Sequence, residues 1–186
     1  MKVDKIVYNR YREIDGNEED AIEIKSYIPK IAMEDAIKIA SKSFLKINKG
    51  EVNSIKLLYK PFSLFLYKAL IRRRKHVDRP LEDIAMYIAI DMITGVGFES
   101  EALEFTTIKV GKRYVIEPLI SIEEALNEVK KVILRYKAKI ARHGLEVNEE
   151  NITQLGLVYK PIWIIEFTTN KKRRYIGVDA VKGTRL

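Results

Sequence analysis

Two tight groups of cations are the residues best equipped to act on a partner. Arg72, Arg73, Arg74 and Lys75 form one group, and Lys171, Lys172, Arg173 and Arg174 form the other. Each group could neutralise several phosphates, and such binding weakens steeply with salt. A solvated hairpin tip in a Lys-rich chain produces the same string. Tyr67, Tyr87, Trp163 and Tyr175 lie near these groups in sequence. Their rings could stack on bases, although the apolar stretches around them favour core packing. A second candidate surface is Tyr59-Lys60 with Tyr159-Lys160, each pair followed by proline. Exposed, it would suit a peptide or an acidic group. The plainer reading packs the tyrosine against a helix, points the lysine to solvent and lets the proline fix a strand entry.

Catalytic chemistry finds little support. The chain has no cysteine, which removes disulfides, thiol catalysis and the usual structural zinc ligands. His76 and His143 are the only imidazoles and lie far apart. Asp91 and Asp179 each open an Asp-x-x-x-Gly string, a pattern of turns in which Asp accepts backbone hydrogen bonds and Gly supplies a positive φ. No phosphate loop, dinucleotide fingerprint, HExxH or nucleophile elbow occurs. The expectation is a non-enzyme with no catalytic residues, no metal site and no cofactor.

Composition bounds the rest. The chain has 186 residues, 47% hydrophobic and 32% charged, with a net charge of +8. That is globular material, enough for one medium domain or two small ones. No uninterrupted apolar run approaches the roughly 18 residues a membrane span needs, and the N-terminus MKVDKIVYNRYREI lacks the apolar core of a signal peptide. The expected location is cytoplasmic. The wealth of Ile, Lys and Glu, with a single glutamine at Gln154, resembles hyperthermophile usage, and AT-rich codon bias reads the same way.

The elements that must position these groups are written twice. LLYKP at 57–61 returns as LVYKP at 157–161. Tyr87-Ile-Ala-Ile-Asp91 returns as Tyr175-Ile-Gly-Val-Asp179, with Gly95 and Gly183 closing the two blocks. Upstream, Pro29 and Pro118 each precede a Glu-rich helix start. The order proline, helix, Tyr-Lys-Pro, basic cluster, Tyr-Ile-x-x-Asp, glycine is the same in both halves, and points to an internal duplication.

Periodicity supplies the elements. Ile122, Ala125, Leu126, Val129, Val132, Ile133, Tyr136 and Ile140 recur at helical spacing. Ser121 stands at the N-cap, with Glu124 completing a capping box, and Gly144 is the expected stop. The helix should run about 20 residues, roughly 30 Å. Met33, Ala36, Ile37, Ala40 and Phe44 trace a shorter counterpart ending at Asn48–Gly50. FSLFLY and IWIIEF read as strands that begin at the prolines, and Tyr87–Met92 and Tyr175–Val181 as their hairpin partners. Upstream hairpins are expected from IVYNRYREI with AIEIKSYI, and from LEFTTIKV with RYVIE. The predicted fold is α+β: two tandem copies of about ββαββ, each an antiparallel sheet crossed by one helix, at 1–97 and 98–186, an arrangement that admits a pseudo-twofold. GVGFES at 95–100 is the candidate junction.

An Ala-rich helix followed by strands, the last ending in Asp-x-x-x-Gly, resembles the PepSY domain family. The matching pieces are Ala36-Ile37-Lys38-Ile39-Ala40 with Tyr87–Gly95, and Ala125-Leu126 with Tyr175–Gly183. The resemblance implies a cystatin-like helix-on-sheet module without catalysis, often inhibitory or interaction-related. PepSY domains are typically extracytoplasmic, and the missing leader departs from that pattern. The functional expectation is a non-enzymatic module that binds a protein or peptide. The alternative is nucleic-acid or ribonucleoprotein binding through the basic strand connections.

Overall fold

The capping box written at Ser121 is formed. The Ser121 N–H donates to Glu124 Oε2 at 2.7 Å, and the Glu124 N–H donates to Ser121 Oγ at 3.2 Å. These bonds hold the Glu124 carboxyl below its ordinary range. The helix they start runs Ile122–Arg142, and Gly144 follows it at φ +72°. The computed structural model describes residues 20–44, 51–73, 81–101, 104–169 and 172–186. In chain order these form β1 (Ala21–Tyr27), α1 (Met33–Phe44), β2 (Glu51–Arg73), β3 (Glu82–Asp91), β4 (Gly97–Ser100), β5 (Phe105–Gly111), α2 (Ile122–Arg142), β6 (Leu145–Thr169) and β7 (Lys172–Asp179). The strands hydrogen-bond in the order β4-β3-β2-β6-β1-β5, with β7 paired to β6. The chain is α+β with a mostly antiparallel sheet. Among the described residues no helix is long and apolar enough to cross a membrane.

Two compact units emerge, and neither is a continuous half of the chain. One comprises residues 1–60, 104–116 and 159–186; the other comprises 61–103 and 117–158. The expected division at 1–97 and 98–186 therefore differs from the way the chain condenses. In the first unit Ala36, Ile37 and Ala40 of α1 pack with Ile165 and Phe167 of β6 and Ile176 and Val178 of β7. In the second, Ala125, Val129, Val132 and Ile133 of α2 pack with Phe65, Tyr67 and Ala69 of β2 and Met86, Ile88 and Ile90 of β3. Each helix lies over the hairpin that belongs to the other half of the sequence. Alternate strand residues supply each face, as the pleat requires.

Element lengths show why β2 needs both helices. β2 has 23 residues, about 75 Å at strand rise. α1 has 12 residues, about 18 Å at helical rise. One short helix covers only part of so long a strand, and the rest needs another apolar stripe.

Tyr-Lys-Pro marks the place where the long strands change partners rather than where they begin. β2 starts at Glu51, and β6 starts at Leu145. Before the proline, Tyr59 bridges Val115 in parallel and Ser26 bridges Tyr159 in parallel. Beyond it, Phe62 pairs with Asp91 and Ile162 with Asp179, and both ladders run antiparallel. A proline removes one ladder donor, and it does so here where the ladder is interrupted.

Two further expectations are corrected. RYVIE does not form a hairpin strand: Lys112–Tyr114 is a 3-10 turn, and β5 pairs instead with β1, from Ala21↔Gly111 to Tyr27↔Phe105. GVGFES is not a linker, because Gly97–Ser100 is β4, laid along β3 from Ile90↔Gly97 to Tyr87↔Ser100. The expected strand in IVYNRYREI and the helix stop at Asn48–Gly50 lie outside the described residues.

Candidate functional site

The two Asp-x-x-x-Gly strings build matching turns. Asp91 Oδ1 accepts the N–H of Ile93 at 3.0 Å and of Thr94 at 3.3 Å; Asp179 Oδ1 accepts those of Val181 at 2.9 Å and Lys182 at 3.0 Å. Gly95 and Gly183 close the turns at φ +73° and +69°. Their N–H groups donate to the carbonyls of Asp91 and Asp179. The next carbonyl repeats too: Met92 O accepts from Leu119 and Ile120, and Ala180 O accepts from Lys30 and Ile31. Pro61 O accepts from Met92, and Pro161 O from Ala180. Both aspartates are thus occupied with backbone, the role their spacing suggested.

Of the Tyr-Lys pairs, Tyr59 is buried and Lys60, Tyr159 and Lys160 are half-buried. Burial raises the Tyr59 hydroxyl above its ordinary pKa. Lys160 points inward, with its Nζ 2.5 Å from Asp179 Oδ2. The lysine expected to face solvent instead neutralises a nearly inaccessible carboxylate.

The basic residues divide. Arg74, Lys75 and Lys171 lie outside the described residues, and of Lys172 only the backbone, at the start of β7, is described. Arg72 Nε is 2.9 Å from Glu146 Oε1, while Arg73 is exposed. Arg173 is 70% exposed, with its Nε 3.4 Å from Glu166 Oε1. Arg174 is exposed beside Tyr175, which is 63% exposed. Tyr67, by contrast, is buried in the α2 core, its hydroxyl donating to Glu150 Oε2 at 2.8 Å. Core packing holds for Tyr67 and fails for Tyr175.

Glu166 is buried and accepts a hydrogen bond from Ser54 at 2.9 Å. The Ser54 and Asn53 side chains, with the charges of Arg173 and Lys56, hold its carboxyl below the ordinary value of 4.5. Folding therefore favours ionised Glu166. Its contribution is complete above that ordinary value and is lost as pH falls through the lowered native one. Urea midpoints measured down the acid limb should fall less steeply in Glu166→Gln than in the parent chain. Parallel acid limbs would show that Glu166 does not titrate with folding.

An open cleft of about 290 Å³ lies between α2 and β4. Met86, Val132 and Tyr136 line it together with Glu99, Arg135 and Lys139, while the Phe98 ring turns to the opposite face of the sheet, edge-on to Phe62 with ring centroids 6.0 Å apart. Gly97 permits this approach: a Cβ there would stand 2.7 Å from Ile90 Cδ1 and 2.9 Å from Val132 Cγ2. In an antiparallel ladder, successive residues direct their backbone groups to opposite sides. Asp91 N–H donates to Val96 O, so the backbone of Phe98 faces β3 and those of Gly97 and Glu99 face outward. Arg135 Nη2 takes the outward Gly97 carbonyl at 3.3 Å. Neither Arg135 nor Lys139 ion-pairs with a carboxylate among the described residues.

Sequence reasoning missed this cleft. Arg135 and Lys139 are four apart, and so are Val132 and Tyr136, which put a charged row beside the apolar stripe of α2. The missing half was β4, which lay in the stretch read as a junction. Among the described residues no group of three or more His, Asp or Glu is placed to hold a metal ion. Comparison with protein-family models, with curated proteins and with solved structures finds no match.

Proposed function

We propose that this chain is a duplicated, non-enzymatic interaction module that takes an extended peptide in the cleft between α2 and β4. The observation that carries the reading is the cleft itself. It combines an apolar lining of Met86, Val132 and Tyr136 with Arg135 and Lys139, neither ion-paired to a carboxylate among the described residues, and with the outward N–H and C=O of Glu99 on β4. Edge-strand addition uses these parts: main-chain bonds give affinity, and flanking pockets select side chains. The matching turns at Asp91 and Asp179 support a duplication whose sequence copies are 1–97 and 98–186. A helix laid on an antiparallel sheet is also what the PepSY resemblance implies.

The test is peptide display against the full chain, followed by titration of the enriched peptides. Arg135→Glu with Lys139→Glu should weaken them at least tenfold while leaving the circular dichroism unchanged. Peptides that bind the double variant as tightly as the parent would sink the cleft reading. The nucleic-acid alternative is supported by the exposure of Arg73, Arg173 and Arg174. It requires RNA or DNA binding at low salt with a steep salt slope.

A further inference from the structure

β3 and β7 close with the same Tyr-Ile-x-x-Asp string, yet their outer edges differ. The edge of β3 is covered by β4, and Tyr87 pairs with Ser100. Along β7, Asp179 N–H donates to Thr184 O and Leu186 N–H donates to Gly177 O, so the backbones of residues 177 and 179 face that outer edge. Alternation then places the N–H and C=O of Arg173 and Tyr175 on the same edge. Nothing among the described residues pairs with them. Tyr175, the counterpart of a half-buried Tyr87, is 63% exposed.

We infer that the open edge of β7 is a second binding site, independent of the cleft, and that it takes an acidic extended peptide segment added antiparallel to Arg173–Tyr175. Three features select this occupant. β4 on β3 shows how a strand seats on an edge with this sequence, with Ser100 opposite Tyr87, the counterpart of Tyr175. Arg173 and Arg174 are both exposed on the open stretch and lie beside the strand that would be added, so an acidic segment complements them and a second basic edge is repelled. Cations on an edge are a usual guard against self-pairing, which argues against a second copy of this chain. Alternating outward N–H and C=O groups match a peptide backbone, whereas phosphates offer acceptors only.

The experiment follows amide exchange at Arg173 and Tyr175 in the full chain by NMR. The probes are a blocked Glu-Val octapeptide repeat and, in parallel, a thymidine decanucleotide. Fast exchange in the free chain, slowed at least tenfold by the octapeptide, is the expected result. Arg173→Glu with Arg174→Glu should abolish that protection while leaving binding at the α2 cleft intact. Tyr175→Pro, which removes only an outward donor, should do the same. Amides already protected in the free chain, octapeptide binding unchanged by the charge reversal, or protection by the oligonucleotide alone would each overturn the inference.

Discussion

Asp179→Ala is expected to lower the unfolding free energy by about 3–5 kcal/mol, the usual cost of stripping one partner from a buried ion pair. Urea denaturation at neutral pH measures it. The size follows from what is left behind. Lys160, 19% exposed at its side chain, would keep a charge with no carboxylate at 2.5 Å. The N–H groups of Val181 and Lys182 would lose their acceptor in the same step. Lys160→Met should cost less, because the carboxylate keeps those two donors. Asp179→Asn should fall between the two, because its amide oxygen still accepts from the turn while the charge is lost. If Asp179→Asn proves as damaging as Asp179→Ala, the ion pair carries the effect and the turn bonds contribute little. If Lys160→Met proves the worst, the lysine stem rather than the charge holds this corner.

Local chemistry was legible in the sequence, and long-range choice of partner was not. Ser121 and Glu124 are three residues apart, so their capping box could be read without knowing what the helix covers. The turn bonds of Asp91 and Asp179 likewise reach only the residues two and three positions on. The helical stripe at Ala125, Val129, Val132 and Ile133 is core, as its spacing required. The stripe does not say which hairpin it will meet. Both hairpins present alternating apolar faces of similar size, so pattern alone cannot tell Phe65 from Phe167 as the partner of α2. Tyr-Lys-Pro misled for a related reason: a proline inside a long strand reads locally as a strand start, and only the change of ladder partner makes an interior proline tolerable. The burial of Lys160 depends on Asp179, nineteen positions downstream on a neighbouring strand, and no local periodicity reports that. The cleft was hidden because β4 is a strand of four residues, too short to show alternation, in a segment whose two glycines suggested a linker.

Partner exchange between the halves has a direct energetic signature. Phe167 is 1% exposed in the core formed with α1, and Phe167→Ala should cost about 3–5 kcal/mol through lost burial and the cavity left behind. That cost alone does not say which helix the ring touches, because a tandem arrangement would bury it equally well against α2. A pair of double-mutant cycles does. Phe167 shares its cluster with Ile37 of α1, whereas Val129 of α2 belongs to the other core. Residues in one packed cluster couple by about 0.5–3 kcal/mol, because the first truncation lets its neighbours relax into the space the second would have emptied. Phe167→Ala with Ile37→Ala should therefore be non-additive, and Phe167→Ala with Val129→Ala should add to within about 0.5 kcal/mol. The mirror test uses Phe65, fully buried in the α2 core: it should couple to Val129 and not to Ile37. The reverse pattern, with Phe167 coupled to Val129, would return the molecule to two self-contained tandem copies.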